Sequence, residues 1–434
     1  MCTSRPAALD LVCCLVIFGV TQSSASDFVY QAGELQPWLY SVFSQLHQTP
    51  ELSFEETATS SLVQLQLQQH NIAFVAPVAK TGIIASVGHG SPVVYLRADM
   101  DALPISEEMS HLLRSKHKGI MHACGHDVHT TMLLGAAILL KSVEMKLPGT
   151  VKFLFQPAEE AAGSEGMLGA QKVLQTGLLD DASAVFGLHV DPSLPTGMFA
   201  TAAGPIFASE VNFQATLYGK GGHAGTPHLN TDCIPCAASF IGALQTLIAS
   251  DVPPTEAAVI SVTQVHAGKG QLLSITPSEV SVAGTMRTLS IPVQQRLQLR
   301  LEQVLQSHSN SCSCSATLDW RLRTNPPYPV LVNDAQLSEM ASQTASSTLG
   351  SARVTQLTPY MVAEDFAYYA QQAPVCFSTL GIYNVTAGSV HPLHSPSFRA
   401  DPEVLQTGAA MHAALAWDYL HARVPHQQCG HIDL

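Results

Sequence analysis

Three short, largely apolar runs, at residues 93–96, 151–155 (interrupted only by Lys152) and 184–188, constrain this chain more than any other feature. Runs of that length suit strands buried on both faces, the environment of a parallel sheet covered by helices. Between the first two, residues 129–143 are rich in Leu, Ala and Met and read as a helix of about four turns. Strand, helix, strand in that order predicts βαβ units and a mainly parallel-sheet α/β domain. Upstream, Ser53 and Glu56 match a capping box, and the stretch after them, to about His70, predicts the helix that opens this domain.

From Val211 the pattern changes. Val211 to Leu217 alternates apolar and polar residues, the period of a half-exposed antiparallel strand. A helix at 236–249, β-type stretches at 258–266 and 280–286, a Gln/Leu helix at 293–306 and a strand at 316–322 complete a compact α+β set. The expected organisation is a catalytic domain in two pieces, 26–204 and 327–422, with a smaller α+β lid or dimerisation domain inserted at 205–326. Pro326-Pro327-Tyr328-Pro329 marks the return junction.

With 434 residues, 46% of them apolar, the chain can bury a large core. Its 20 Lys and Arg against 33 Asp and Glu leave a formal charge of −13. No basic cluster is present to meet a phosphate backbone, so small molecules are expected as ligands rather than nucleic acid. Arg5, an apolar run from Leu11 to Val20 and the small residues Ser23-Ser24-Ala25 read as a secretory signal over 1–25. That run is too short to span a bilayer, and no other run is long enough. The tail, 423–434, ends in His431-Ile432-Asp433-Leu434, which looks like an endoplasmic-reticulum retrieval signal with Ile and Asp in place of the usual Asp and Glu. The expected location is therefore the secretory pathway and the reticulum lumen, with secretion as the alternative. Of 10 cysteines, Cys2, Cys13 and Cys14 leave with the signal, and the remaining number is odd. Cys233/Cys236 and Cys312/Cys314 are close enough in sequence for local bridges, or are free. Asn384-Val385-Thr386 is a glycan sequon.

The densest chemical signal is His122-Ala123-Cys124-Gly125-His126-Asp127-Val128-His129, which offers imidazole, thiol and carboxylate donors. Transition metals favour such N and S ligands, and Gly125 permits the irregular backbone that lets Cys124 and His126 converge. The alternative is a polar helix start with Asp127 as its N-terminal charge. Phe155-Gln156-Pro157-Ala158-Glu159-Glu160 ends an apolar strand in two carboxylates, where open α/β sheets place ligands. Two adjacent acids can divide labour, one holding metal and one moving protons. His189 also ends a strand, and His394 sits in an irregular Pro-flanked stretch. The glycine-dense Gly219 to Gly225 segment lacks the Lys-Ser/Thr ending of a phosphate loop and reads as a turn that exposes His223.

In this order and number, these segments, with Leu96 to Pro104, Gly284-Thr285-Met286-Arg287, Met361 to Phe366 and His394-Ser395-Pro396, resemble the M20 metallopeptidase family. The resemblance is to its amidohydrolase branch, which includes plant auxin–amino acid conjugate hydrolases, hippurate hydrolases and aminoacylases, and it runs from about His47 to Leu420. It implies a two-metal centre held by Cys124, His126, Glu160, His189 and His394, with Glu159 as general base. Cys124 stands where relatives have a bridging carboxylate. Thiolate softness favours Zn2+, whereas the branch usually works with Mn2+. The resemblance also implies that Asp99 orients a ligand, that His223 reaches a neighbouring subunit's site in a homodimer, and that Arg287 and Asn384 anchor a substrate carboxylate. The implied reaction is hydrolysis of the amide bond of N-acyl amino acids, auxin conjugates first among them. A carboxypeptidase-like or broad aminoacylase activity is the alternative, and a catalytically silent metal-binding scaffold is the non-enzymatic one.

Overall fold

The computed structural model describes residues 27–108, 113–268 and 272–422; the segment expected as a signal and the retrieval-like tail lie outside the described residues. An eight-stranded sheet runs in the order Ala73–Val78, Gly82–Gly88, Thr150–Gln156, Val93–Asp99, Ala184–Pro195, Val375–Tyr383, Phe199–Thr201 and Val354–Gln356. Val93–Asp99 is buried at every position and lies parallel to both of its neighbours. Val375–Tyr383 continues the parallel set beside Ala184–Pro195. The expected βαβ unit is present, with helix His126–Ser142 as its crossover. Thr150–Gln156, however, also pairs antiparallel with Gly82–Gly88, so the sheet is mixed at that edge.

Helix His126–Ser142 is buried on nearly all sides because helices Asp27–Gln48 and Val404–Ala422 cover it. The opening helix is thus Asp27–Gln48, not the one expected after Ser53. The second helix spans Thr57–Gln69, and its predicted capping box does not form. Ser53 Oγ donates to Asp101 instead, and Glu56 accepts from Phe54 N and Thr81 Oγ1. The free N–H groups of Ala58 and Thr59 are taken by the Glu51 carboxylate, which does the capping that Ser53 and Glu56 leave undone. A buried pair, His47 Nδ1 to Asp127 Oδ2 at 2.6 Å, joins the end of the first helix to the start of His126–Ser142.

A second, four-stranded antiparallel sheet has the order Ala258–Ala267, Glu279–Thr288, Ser209–Tyr218 and Ser315–Asp319. Helices Ile234–Asp251 and Ile291–Ser311 pack on it through Phe240, Leu244, Leu297, Leu301 and Leu305, residues spaced by four along each helix. Ile234–Asp251 is apolar and long enough to cross a membrane by composition, yet these contacts make one face of it the core of the lid. The last strand stops at Asp319 rather than Leu322, because Arg321 turns at φ 56° with its N–H held by Asp319 Oδ1.

Helix packing over the main sheet depends on a close approach at Gly135. A Cβ there would lie 2.8 Å from both Ala409 Cβ and Leu39 Cδ2. By helix propensity alone Gly135→Ala gains about 1 kcal/mol. Overpacking against two other helices costs about 1–3 kcal/mol. The expected outcome is net destabilisation, read as a lower midpoint in urea with an unchanged slope.

Candidate metal centre

The polar residues gather where the parallel strands end. Asp99 closes its strand, Glu159 and Glu160 follow Thr150–Gln156, and His189 lies in Ala184–Pro195. The His126 helix starts at the same edge, and its N-cap, Gly125, has φ +87° with Val190 pressed against it. An added Cβ would come 2.6 Å from Val190 Cγ2, so only glycine allows Cys124 and His126 to face one point. Two further residues at the site, Ala158 (φ 52°) and His394 (φ 61°), hold left-handed backbone without being glycine. Such conformations persist only where surroundings over-determine them. Ala158 N donates to Glu56 Oε1, and His394 N donates to Ala123 O.

The five residues expected as ligands come together as two overlapping sets. Ligand atoms of Cys124, His126 and His189 lie within 4.8 Å of one another, and so do those of Cys124, Glu160 and His394. The sulfur belongs to both sets. Cys124 Sγ is 3.5 Å from His189 Nε2, Glu160 Oε1 is 3.2 Å from His394 Nε2, and His126 Nε2 is 3.9 Å from Glu160 Oε1. Metal–nitrogen and metal–oxygen bonds of about 2.1 Å in a tetrahedral arrangement put neighbouring ligand atoms roughly 3.4 Å apart, so these separations fit shared cations. The hydrogen-bond inventory agrees. Among the described residues, both ring nitrogens of His126 and Oε1 of Glu160 are buried without a partner in hydrogen-bonding geometry, while His189 Nδ1 bonds Val190 O and leaves Nε2 facing the sulfur.

Asp99 is placed differently from the expectation of a simple ligand orienter. Its Oδ1 accepts from His129 Nδ1 at 2.6 Å and its Oδ2 from Arg97 at 2.6 Å, while His126 Nε2 is 3.8 Å away. His129 in turn accepts from Val190 N, so this third imidazole of the motif braces the His189 strand and has no nitrogen left for metal. The carboxylate closest to the His126 ring is Asp101, 3.3 Å from Nδ1, a residue to which the sequence reading gave no role. Asp101 also accepts from Ser53 Oγ, Glu159 N and Glu160 N. Burial works against its charge, but the His126 ring and these donors hold its carboxyl below the ordinary range.

Glu159 is buried beside Glu364 and Asp365, with Oε1 facing Asp365 N at 3.4 Å. Burial first, then Glu364, Glu160, Asp365 and Asp101, pushes its carboxyl well above the ordinary range. Arg97, also without an expected role, is a fully buried guanidinium bonded to Asp99, Glu364, Asp365 and Gln156. A charged residue inside an all-buried strand was the signal that could have exposed it.

A cavity of about 780 Å³ opens onto Cys124, Glu159, Glu160, His189 and His394, with Phe207, Tyr328 and Tyr360 in its walls. Arg287 lines it from the lid, ion-paired with Glu210 and donating to Met361 O. Asn384 does not line it. Its Nδ2 donates to Asp401 and its Oδ1 accepts from Thr386 N and Ala387 N, which commits the amide to a turn. Two lid asparagines do line it, Asn325 and Asn212, the latter hidden by the alternating strand pattern as an outward polar residue. His223 is exposed on a short lid hairpin paired with Ile275 and is not among the residues of this cavity.

Residues 95–418 match the model of peptidase family M20/M25/M40. The chain belongs to the M20 peptidase family. It is 39% identical over 384 residues to IAA-amino acid hydrolase ILR1-like 4 of Arabidopsis thaliana, covering 88% of this chain and 86% of that one. It is 35% identical over 387 residues to thermostable carboxypeptidase 2 of Saccharolobus solfataricus, with coverage of 88% and 95%. A solved structure of a Bacillus subtilis dinuclear metal-binding peptidase of the family is 33% identical and superposes with a TM-score of 0.77, over 90% of this chain and 99% of that one. This M20 chain is accordingly a metal-dependent amidohydrolase of the dinuclear type, with the mixed α/β catalytic fold and lid of its family.

The position of Asp101 yields a test. Asp101→Asn keeps the shape but gives one oxygen to three donors and the His126 ring. Metal affinity is expected to fall about 10- to 100-fold, measured by chelator competition, with the folded structure retained by circular dichroism. Unchanged affinity would show that Asp101 does not organise the centre.

Proposed function

We propose that this M20 amidohydrolase cleaves the amide bond of N-acyl amino acids, preferentially indole-3-acetyl conjugates, to release the free acid and the amino acid. The observation that carries the reading is the sharing of Cys124 between two donor sets, with Glu159 beside them and Arg287 across one cavity. The two divalent ions, proposed as Mn2+ with Zn2+ as the alternative, would be held by Cys124, His126, Glu160, His189 and His394. The chemistry such ions supply when bound is Lewis acidity, which brings the pKa of water from about 15.7 toward about 7 and polarises a carbonyl.

The remaining steps fall to side chains. Glu159 takes a proton from the attacking water and returns it to the leaving nitrogen, work that typically contributes about 10²- to 10⁴-fold. Arg287, fixed by Glu210 and the Met361 carbonyl, pairs with the substrate carboxylate, assisted by Asn212 in place of the Asn384 expected from sequence. The aromatic walls at Phe207, Tyr328 and Tyr360 suit a flat acyl group. His223 donates to the oxyanion of a neighbouring subunit in a lid-to-lid homodimer. The exposure of Leu272, Leu273 and Ile275 around its hairpin supports that arrangement. The endoplasmic-reticulum lumen is the proposed location.

The similarity to a carboxypeptidase favours a second reading, in which the acyl part is a peptide. A panel of indole-acyl, benzoyl and acetyl amino acids and dipeptides on Mn2+-reconstituted protein separates the two. Indole-acyl substrates are expected to show the highest kcat/KM, and a preference for dipeptides would replace the first reading with the second. In the same assay Glu159→Gln is expected to keep metal and substrate binding while kcat falls about 10²- to 10⁴-fold. Undiminished turnover would remove Glu159 from the reaction.

A further inference from the structure

Four cysteines of the lid meet in pairs that their spacing in sequence does not suggest. Cys233 caps the start of helix Ile234–Asp251 and Cys236 lies in its first turn. Cys312 caps the end of helix Ile291–Ser311, and Cys314 precedes strand Ser315–Asp319. Cys233, Cys236 and Cys314 belong to one buried cluster with Cys312 packed against it, and the neighbouring thiol that most affects each helix-start cysteine is Cys314 for Cys233 and Cys312 for Cys236. The second pairing is fixed independently by backbone geometry. Cys236 Sγ lies 3.1 Å from His308 O, the same carbonyl that accepts from Cys312 N at 3.3 Å, and Ser239 Oγ bonds His308 Nδ1 alongside. All four are reduced in the structure.

We infer that the lid carries two disulfides, Cys233–Cys314 and Cys236–Cys312, which tie the first turn of Ile234–Asp251 to the turn that follows Ile291–Ser311. Local bridges, Cys233 to Cys236 and Cys312 to Cys314, would require the side chains to leave these neighbours. A four-thiolate metal site is disfavoured, because among the described residues no three of these sulfurs lie within 4.8 Å of one another. Each bridge forms by thiol–disulfide exchange with a small or protein disulfide. A lid thiolate attacks the external disulfide to give a mixed disulfide and release one thiol, and the second lid thiolate then displaces the other. Per bridge, two lid thiols are oxidised and one external disulfide is reduced to two thiols. Cys233 and Cys236 have no exposed surface, and burial followed by the neighbouring thiol pushes Cys233 up to about 12. Exchange at these sites therefore belongs to folding, before the helices close over them. The oxidation draws on the lumenal location proposed above; the pairing itself draws only on the contacts.

The bridges matter to the site through the loop that precedes Cys233. Gly219 packs so tightly on Cys233 that a Cβ would lie 2.6 Å from Sγ, and Lys220 exchanges backbone hydrogen bonds with Thr231. The segment between them carries His223. A Cys233–Cys314 link closes a loop of about 80 residues, long enough to restrict the unfolded chain strongly because that restriction grows with loop length, and it fastens the base of the His223 segment.

The test uses the full chain, reduced and refolded with oxidised glutathione, then digested without reduction and mapped by mass spectrometry. The expected species joins the peptide containing Cys233 and Cys236 to the one containing Cys312 and Cys314, and separates on reduction, while Cys124 and Cys376 remain alkylatable. Cys236→Ser/Cys312→Ser should keep one inter-peptide link, and Cys236→Ser/Cys314→Ser should lose it. Dithiothreitol should lower the thermal midpoint of the unsubstituted protein. Bridges within each peptide, four alkylatable lid thiols after refolding, or stoichiometric zinc retained on these cysteines would each overturn the pairing. Correct bridges formed in glutathione support it whatever compartment the protein is drawn from.

Discussion

The centre is organised around the carboxylate of Asp101. It accepts from the backbone N–H groups of Glu159 and Glu160, from Ser53, and it faces the His126 ring. One buried anion thus fixes three pieces of chain distant in sequence: the loop before the second helix, the turn after strand Thr150–Gln156, and the start of helix His126–Ser142. The Glu159-Glu160 turn could not hold its shape otherwise. Ala158 sits at positive φ, a conformation that costs an ordinary residue about 1–3 kcal/mol, and Glu56 and Asp101 together occupy the N–H groups of three consecutive residues there. The strain is borne by a network whose members are themselves buried, so the two carboxylates are placed by the fold and not by their own rotamers.

Much of this was legible in the chain. The buried strands could be read because a strand covered on both faces is apolar over most of its length, as Val93–Asp99 is from Val93 to Leu96. The candidate ligands could be singled out because Cys, His and Glu at strand ends and in irregular turns have no packing role to explain them, and the structure brings these residues together. What stayed hidden is instructive in physical terms. Ser53 and Glu56 have the spacing of a capping box, but local pattern is silent about a buried acceptor arriving from Asp101, which recruits Ser53 away from the helix. Asp101 lies two residues from Asp99 in the Leu96 to Pro104 segment, and only distance tells which acid faces the His126 ring. Asn384 and Asn212 show the same limit: both are polar residues whose task no local pattern gives, and only their contacts tell which is spent on a turn. The antiparallel pairing of Thr150–Gln156 with Gly82–Gly88 was likewise outside any local signal, since register and direction at a sheet edge are tertiary facts.

Charge is the constraint that ties the fold to the reaction. Asp99, Asp101, Glu159, Glu364 and Asp365 are all buried around the site, and Glu160 stands at its edge. Against them the same core sets one permanent cation, the guanidinium of Arg97, which pairs with Asp99, Glu364 and Asp365. A buried charge without a partner is costly, and the protein's own response is visible at Glu159 and Asp365, whose carboxyls are driven upward first by burial. Divalent cations between Cys124, His126, Glu160, His189 and His394 would relieve the same excess from the other side, lowering Glu159 toward the range in which a carboxylate both takes and gives a proton near neutral pH. The acidic surplus therefore suits a site for divalent cations, and Cys124, the donor common to both sets, is where the two groups of candidate ligands join.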